Sequence, residues 1–167
     1  MNFTKIDPES ISENVIKLIN RDWALITAGT EGDYNTMTAS WGGMGELWNE
    51  PVAFIFVRPQ RHTFGFTEKN DKFTLTFFDE KYRKALAFCG SHSGRDYDKA
   101  KETGLTPAYG DGYTYFEEAK LYLVCEKLYA QDLKEECFVV PEVSSKNYPT
   151  KDFHRMYVGK IAECYVK

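Results

Sequence analysis

A mainly β domain with peripheral helices is the fold class this sequence predicts, and three observations predict it. Twelve Phe and eleven Tyr among 167 residues favour strands, whose pleated, half-buried faces suit aromatic side chains, and they favour a site for a flat ligand. Alternating or continuous apolar runs recur at strand length, and two long ones, Ala119 to Leu133 and Arg155 to Val166, close the chain. The helical patterns between them are short, so the order of helix, strand pairs, short helices and further strands suits an α+β domain or a barrel with helices at its mouth.

Along the chain, Asp7-Pro8 or Ser10 with Glu13 offers a helix N-terminus, and Ile11, Val15, Leu18 and Ile19 share one helical stripe, so an amphipathic helix over about residues 8–20 opens the fold. Trp23 to Ala28 reads as a strand closed by the turn formers Gly29 to Asp33, and Asn35 to Trp41 resumes as its hairpin partner. Gly42-Gly43-Met44-Gly45 breaks the pattern. After Pro51, Val52 to Val57 is almost continuously apolar, as a strand buried on both faces is, and it ends at Arg58-Pro59. His62 to Asn70 reads as a short helix and Lys72 to Phe78 as a half-buried strand; Glu80 to Cys89 is helical, with Tyr82, Leu86 and Phe88-Cys89 on its apolar side. Ser91 to Gly112 is polar and loop-dominated, with one helical piece around Asp96 to Thr103. An irregular stretch containing Pro141 and Pro149 separates the last two strands. With no repeat, low-complexity tract or linker, residues 1–167 are expected to form one domain, the barrel starting at about residue 22.

A formal net charge of −4 argues against a general nucleic-acid binder, which needs a basic face, though not against a local basic pocket. Cys89, Cys125, Cys137 and Cys164 are widely spaced and follow no secretory signal, so free thiols and a soluble, cytoplasmic protein are expected. The longest apolar runs fall far short of the roughly 20 residues that span a bilayer. Asn2-Phe3-Thr4 fits the glycosylation pattern, which without export is a chance match.

Three segments carry candidate chemistry. In Asn35-Thr36-Met37-Thr38-Ala39-Ser40-Trp41, small polar side chains crowd a strand end beside an indole; amide donors from Thr38 to Trp41 suit the pyrimidine edge of a flavin, and an ordinary hairpin strand explains the pattern as well. Arg58-Pro59-Gln60-Arg61-His62-Thr63 leads from a strand end into a helix start, an arrangement for a phosphate dianion or simply a solvated turn. Ser91 to Lys99 combines hydroxyls, Gly94, Arg95 and a lysine, suiting a phosphate or ribityl chain, or a charged surface loop with a helix cap at Asp96.

Sharper motifs fail on spacing. The glycine run lacks the helix and acidic residue of a dinucleotide-binding βαβ unit. Cys89 and His92 have no second pair with which to hold zinc, and residues three apart on a helix are neighbours more often than a nucleophile and its base. Asp132, Glu135 and Glu136 read as a solvated turn.

In order and spacing, Asn35 to Trp41, Arg58 to Thr63 and Ser91-x-Ser93-Gly94-Arg95-Asp96-x-Asp98-Lys99 together resemble the flavin reductase-like, FMN-binding split-barrel family, and the resemblance runs from about Asp22 through Tyr157-Val158-Gly159-Lys160-Ile161. It implies a Greek-key FMN-binding split barrel acting as a homodimer, with FMN near the subunit interface. By that resemblance Thr38, Ala39, Ser40 and Trp41 line the isoalloxazine, Arg58, Arg61 and Thr63 approach the phosphate and ribityl chain, and Ser93, Gly94, Arg95 and Lys99 complete the polar end. Phe77 and Phe78 are expected to wall the same groove, and His154 is expected at the surface.

The activity implied is hydride transfer from NAD(P)H to flavin, with a monooxygenase or another electron-acceptor protein as the partner class, and without an acid or base catalyst. Two other readings stay open. One is an FMN-binding electron carrier or binding module without NAD(P)H turnover, the other a β-barrel holding an apolar ligand, since fold does not fix function.

Overall fold

In the computed structural model, residues 3–167 are described, so Asn2 of the glycosylation-type triplet lies outside them. Strand β1 (Thr4–Ile6), which the sequence reading lacks, pairs with the last strand. The single helix expected over residues 8–20 is broken. Asp7 caps a 3-10 turn at Pro8–Ser10, and Asn14 accepts from the Lys17 amide at 2.9 Å to start a separate helix, α1 (Val15–Lys17), which runs on as a π-helical turn, Leu18–Asp22. Two local caps compete for one amphipathic stripe, whose Leu18 and Ile19 are still buried.

Strands β2 (Ala24–Thr30) and β3 (Asp33–Ala39) form the expected hairpin, though β3 stops at Ala39. The glycine run overturns an expectation, because it is itself a strand, β4 (Gly42–Leu47), paired with β5 (Glu50–Val57) across Trp48-Asn49, both at positive φ. A Cβ at Gly42 would come 2.7 Å from the Phe54 carbonyl oxygen, so glycine permits the pairing it was expected to interrupt. In β5, Val52, Ala53, Ile55 and Val57 are buried while Phe54 and Phe56 are half-buried, so burial on both faces holds only in part.

Helix α2 (His62–Lys69) leads to β6 (Lys72–Phe77). That strand is buried on both faces rather than one, because a ribbon of β7 (Pro107–Gly110) and β8 (Tyr113–Phe116) covers it, with Thr74 Oγ1 donating to the Thr114 carbonyl at 2.7 Å. Between them lie α3 (Arg83–Ser91) and α4 (Lys99–Thr103), the latter capped by Asp98, not Asp96. Strand β9 (Leu121–Asp132), helix α5 (Pro141–Asn147) in the stretch expected to be irregular, and β10 (Arg155–Val166) complete the chain.

The main sheet is antiparallel in the order β3-β2-β6-β9-β10-β5-β4. Its two end strands, β3 and β4, are consecutive in the chain and joined only by Ser40 and Trp41, so the sheet must roll until its edges nearly meet. The result is a Greek-key barrel split along that seam, filled by residues such as Ile26, Ile55, Phe73, Phe77, Leu123 and Tyr157. The connection through α2 crosses from β5 to the far side of the sheet, bringing the start of α2 beside β3. Among the described residues, no helix is long and apolar enough to cross a membrane.

Candidate functional site

Two adjoining cavities, of about 160 and 500 Å³, run along the seam and share Met37, Arg58 and Arg61. Every site residue expected from the sequence lines one or both. Thr38, Ala39, Ser40 and Trp41 border the smaller cavity together with Phe56 and His154. Arg58, Arg61, Thr63, Ser93, Gly94, Arg95 and Lys99 border the larger. The groove therefore has an aromatic end and a cationic end, as a flat ring bearing an anionic tail requires.

At the aromatic end Trp41 is 49% exposed, its ring centroid 5.4 Å from His154, and Phe56 meets the same imidazole edge-on at 6.4 Å. Thr38 Oγ1 donates to the Leu86 carbonyl at 2.5 Å, fixing β3 to α3. His154 is not at the surface: it is 8% exposed, and its Nδ1 lies 2.8 Å from the Tyr148 hydroxyl. Burial, then the nearby Arg58 and Arg61 charges, push its pKa down to about 4 against the opposing pull of Asp152, so the imidazole is neutral at neutral pH. Phe77 and Phe78 do not wall the groove. Phe77 fills the barrel, and Phe78 packs with Tyr82 and Phe116 in a second apolar cluster, because β6 lies inside the sheet rather than at the seam.

At the cationic end the first turn of α2 supplies His62 and Thr63, placing a helix N-terminus with unpaired N–H groups at the cavity. Thr63 is buried and its Oγ1 accepts from Asn35 Nδ2 at 2.7 Å. The 93–95 loop lies directly on this pair, for a Cβ at Gly94 would fall 1.9 Å from Asn35 Oδ1. Arg61 donates to the Gly90 carbonyl at 2.8 Å, and Arg95 reaches the Gln60 carbonyl at 3.4 Å.

Lys99 is 6% exposed, and its ammonium donates at 2.8 Å to the carbonyls of Thr36 and Cys89, with no carboxylate partner among the described residues. Burial lowers its pKa to about 8, opposed by Cys89 and reinforced by Arg61. A buried cation held only by carbonyl oxygens leaves positive charge available to an anion.

Arg58 lines both cavities but is committed elsewhere. Its guanidinium pairs with Asp152 at 2.5 Å, donates to the Asn147 carbonyl at 3.0 Å and lies 5.1 Å from the Tyr148 ring centroid. Arg58 and Gln60, which donates to the same carboxylate at 2.6 Å, hold Asp152 well below the usual carboxylate range. Sequence reasoning left Asn35, Phe56 and Gln60 out of the site, although Asn35 and Gln60 belong to its own motifs; Tyr148 and Asp152 carried no signal, because they reach the groove only through tertiary contacts.

The model of the flavin reductase like domain family matches residues 17–167. No curated protein matches the chain. Among solved structures, an FMN-binding domain of a flavin reductases-like enzyme from Shewanella baltica is 15% identical with a TM-score of 0.70, over 99% of this chain and 77% of that one. Flavoredoxin from Methanosarcina acetivorans is 20% identical at a TM-score of 0.68, over 98% and 75%. An NADH:FAD oxidoreductase from Streptomyces globisporus, in complex with NAD and FAD fragments, is 16% identical at 0.65, over 87% and 74%. At these identities the likeness is one of fold.

Proposed function

The chain belongs to the flavin reductase like domain family, and on that premise we propose that the seam groove binds FMN and that the protein passes hydride from NAD(P)H to the flavin. The observation that carries this reading is the convergence of three separate sequence segments on one groove with an aromatic end and a cationic end. The donor set fits the cofactor. Arg61, Arg95, the Ser91 and Ser93 hydroxyls and the carboxylate-free Lys99 suit a phosphate, and the Thr38 to Trp41 backbone beside Phe56 suits a ring that needs amide donors at one edge.

Bound FMN supplies a ring that accepts a hydride and passes its electrons on. The chain's own part is to hold that ring along the seam, leave one face open beside the half-exposed Trp41, and keep a neutral donor near it. In the tautomer that accepts from the Tyr148 hydroxyl at Nδ1, Nε2 carries the proton, and in that form His154 would offer an N–H to the groove without adding charge.

Part of the same proposal is a homodimer that shelters the mouth of the groove, supported by Trp41, 49% exposed at the seam; a monomeric mass at micromolar concentration would count against it.

An anaerobic visible spectrum of the FMN-loaded protein, before and after NADH and then NADPH, tests the activity. Bleaching of the bound-flavin band by either nucleotide supports it. Flavin that binds and stays oxidised assigns an electron carrier instead, and failure to bind flavin overturns the reading.

A further inference from the structure

Between β9 and β10 the chain leaves the sheet at Leu133 and returns at His154, where the Leu133 amide donates to the His154 carbonyl at 2.9 Å. This excursion folds on an aromatic trio of its own: the Tyr148 ring centroid lies 4.9 Å from that of Phe153 and 5.9 Å from that of Phe138. Against the trio lies a cavity of about 580 Å³, which has no lining residue in common with the seam groove. Its apolar walls are Phe138, Tyr148, Pro141 and Pro149, and Ser144 of α5 sits among them. Ser144 is 7% exposed and its hydroxyl has no hydrogen-bond partner among the described residues, whereas Ser145 beside it bonds back to the Glu142 carbonyl at 3.2 Å. Among those residues only Thr76 has a hydroxyl both enclosed and unpartnered, so the Ser144 oxygen is open to the cavity.

We propose that this cavity is an effector site for a small, uncharged, hydroxylated aromatic molecule, whose binding is felt in the seam groove through Tyr148. The inference stands apart from the flavin reading. Ring walls favour an aromatic occupant, because offset and edge-to-face contacts between rings add to the gain from burying apolar area. A hydroxyl on that occupant can donate to or accept from Ser144, which a purely apolar molecule would leave unpaired. Charge selects further. Glu135 and Glu142 border the cavity with one cation, Lys151, and Glu135 already holds it at 2.9 Å, so a carboxylate would enter against net negative charge. A volume of about 580 Å³ lies within the roughly 300–1,000 Å³ usual for small-molecule sites. The coupling follows from one side chain with two duties. Tyr148, 6% exposed, gives its ring to the cavity and its hydroxyl to His154 Nδ1 at 2.8 Å, while the Arg58 guanidinium lies 5.1 Å from the same ring. An occupant that shifts this ring therefore disturbs two residues that line the groove, and the effect is reciprocal.

NMR titration of the full chain with phenol, cyclohexanol and benzoate, at neutral pH and without added flavin, tests the site. Amide signals of α5 report binding, and the His154 imidazole signals, identified by their loss in His154→Gln, report coupling. Phenol, having few atoms, is expected to bind in the millimolar range, with cyclohexanol about fivefold weaker and benzoate about tenfold weaker. Ser144→Ala is expected to weaken phenol about fivefold, the scale of one neutral hydrogen bond, and to keep the helix, since alanine is the better helix former. In Tyr148→Phe, which keeps the ring and loses the hydroxyl, phenol is expected to shift the α5 signals still but those of His154 no longer. Unmoved α5 signals up to about 10 mM phenol overturn the site. Undiminished binding in Ser144→Ala, with His154 shifts that persist in Tyr148→Phe, places phenol in the groove and overturns it equally. Phenol that moves α5 in the unaltered protein while His154 stays still overturns the effector role.

Discussion

Arg58 and Asp152, 94 residues apart in the chain, pair at 2.5 Å and lock the end of β5 to the segment that delivers His154 into the groove. The pairing divides the two arginines of the Arg58 to Thr63 motif: one holds the wall of the groove, the other faces its contents.

Arg61 is accordingly the arginine placed for a phosphate. Arg61→Ala is expected to weaken FMN by about ten- to a hundredfold, the range of a charge-assisted hydrogen bond, and to leave riboflavin nearly unchanged. Arg58→Ala should weaken both ligands alike, because it releases Tyr148 and His154 rather than a phosphate contact. Fluorescence titration with the two flavins checks this; equal loss of both in Arg61→Ala would refute the phosphate assignment.

Lys99 makes anion binding depend on pH. Its pKa of about 8 in the protein means that the ammonium is present below that pH and lost above it, and a phosphate favours the charged form. FMN affinity is therefore expected to fall as pH rises through about 8, and Lys99→Met should flatten that profile. Matching pH profiles in the two proteins would show that Lys99 does not contribute.

Much of the barrel and all three segments of the groove were legible in the sequence, because each is a local pattern: alternation in the strands, turn formers at Gly29 to Asp33, and clustered arginines after a strand. The misreadings arose where partners distant in the chain decide. Gly42 to Gly45 looks like a breaker until β5 pairs with it, and β6 looks half-buried until the β7–β8 ribbon covers its outer face. His154 looks like a surface residue because Tyr148, Phe56 and Trp41, which enclose it, come from three different segments. The broken N-terminal helix is the opposite case, in which local caps at Asp7 and Asn14 overrode a periodicity that was present.

Gly94 is a steric requirement, since its φ is not positive and the obstacle is Asn35. In Gly94→Ala the added carbon would meet Oδ1 at 1.9 Å and Cγ at 2.9 Å, so either the loop lifts or Asn35 leaves Thr63. A stability loss of about 1–3 kcal/mol is expected from such overpacking, with weaker FMN binding, because both responses disturb the phosphate end. Chemical denaturation and flavin titration of the variant measure the two effects; a variant unchanged in both would show that the loop does not need its seat on Asn35.

His154 links the groove to acid stability, and the sign follows from its depressed pKa. The unfolded chain takes up a proton near pH 6.5 while the folded chain resists until about 4, so the unfolded state binds more protons between those values and stability falls with pH across that window. The loss attributable to this group reaches about 3 kcal/mol by pH 4. In His154→Gln, which retains a polar partner for Tyr148, the difference in stability between pH 7 and pH 4 should shrink by most of that amount, as read from denaturant midpoints. Parallel pH profiles for the two proteins would mean that His154 takes up its proton at the same pH, near 6.5, in the folded and unfolded chain. The neutral donor assigned to the groove would then become a cation below about pH 6.5, and hydride transfer would be expected to respond to pH near that value instead of staying level through it.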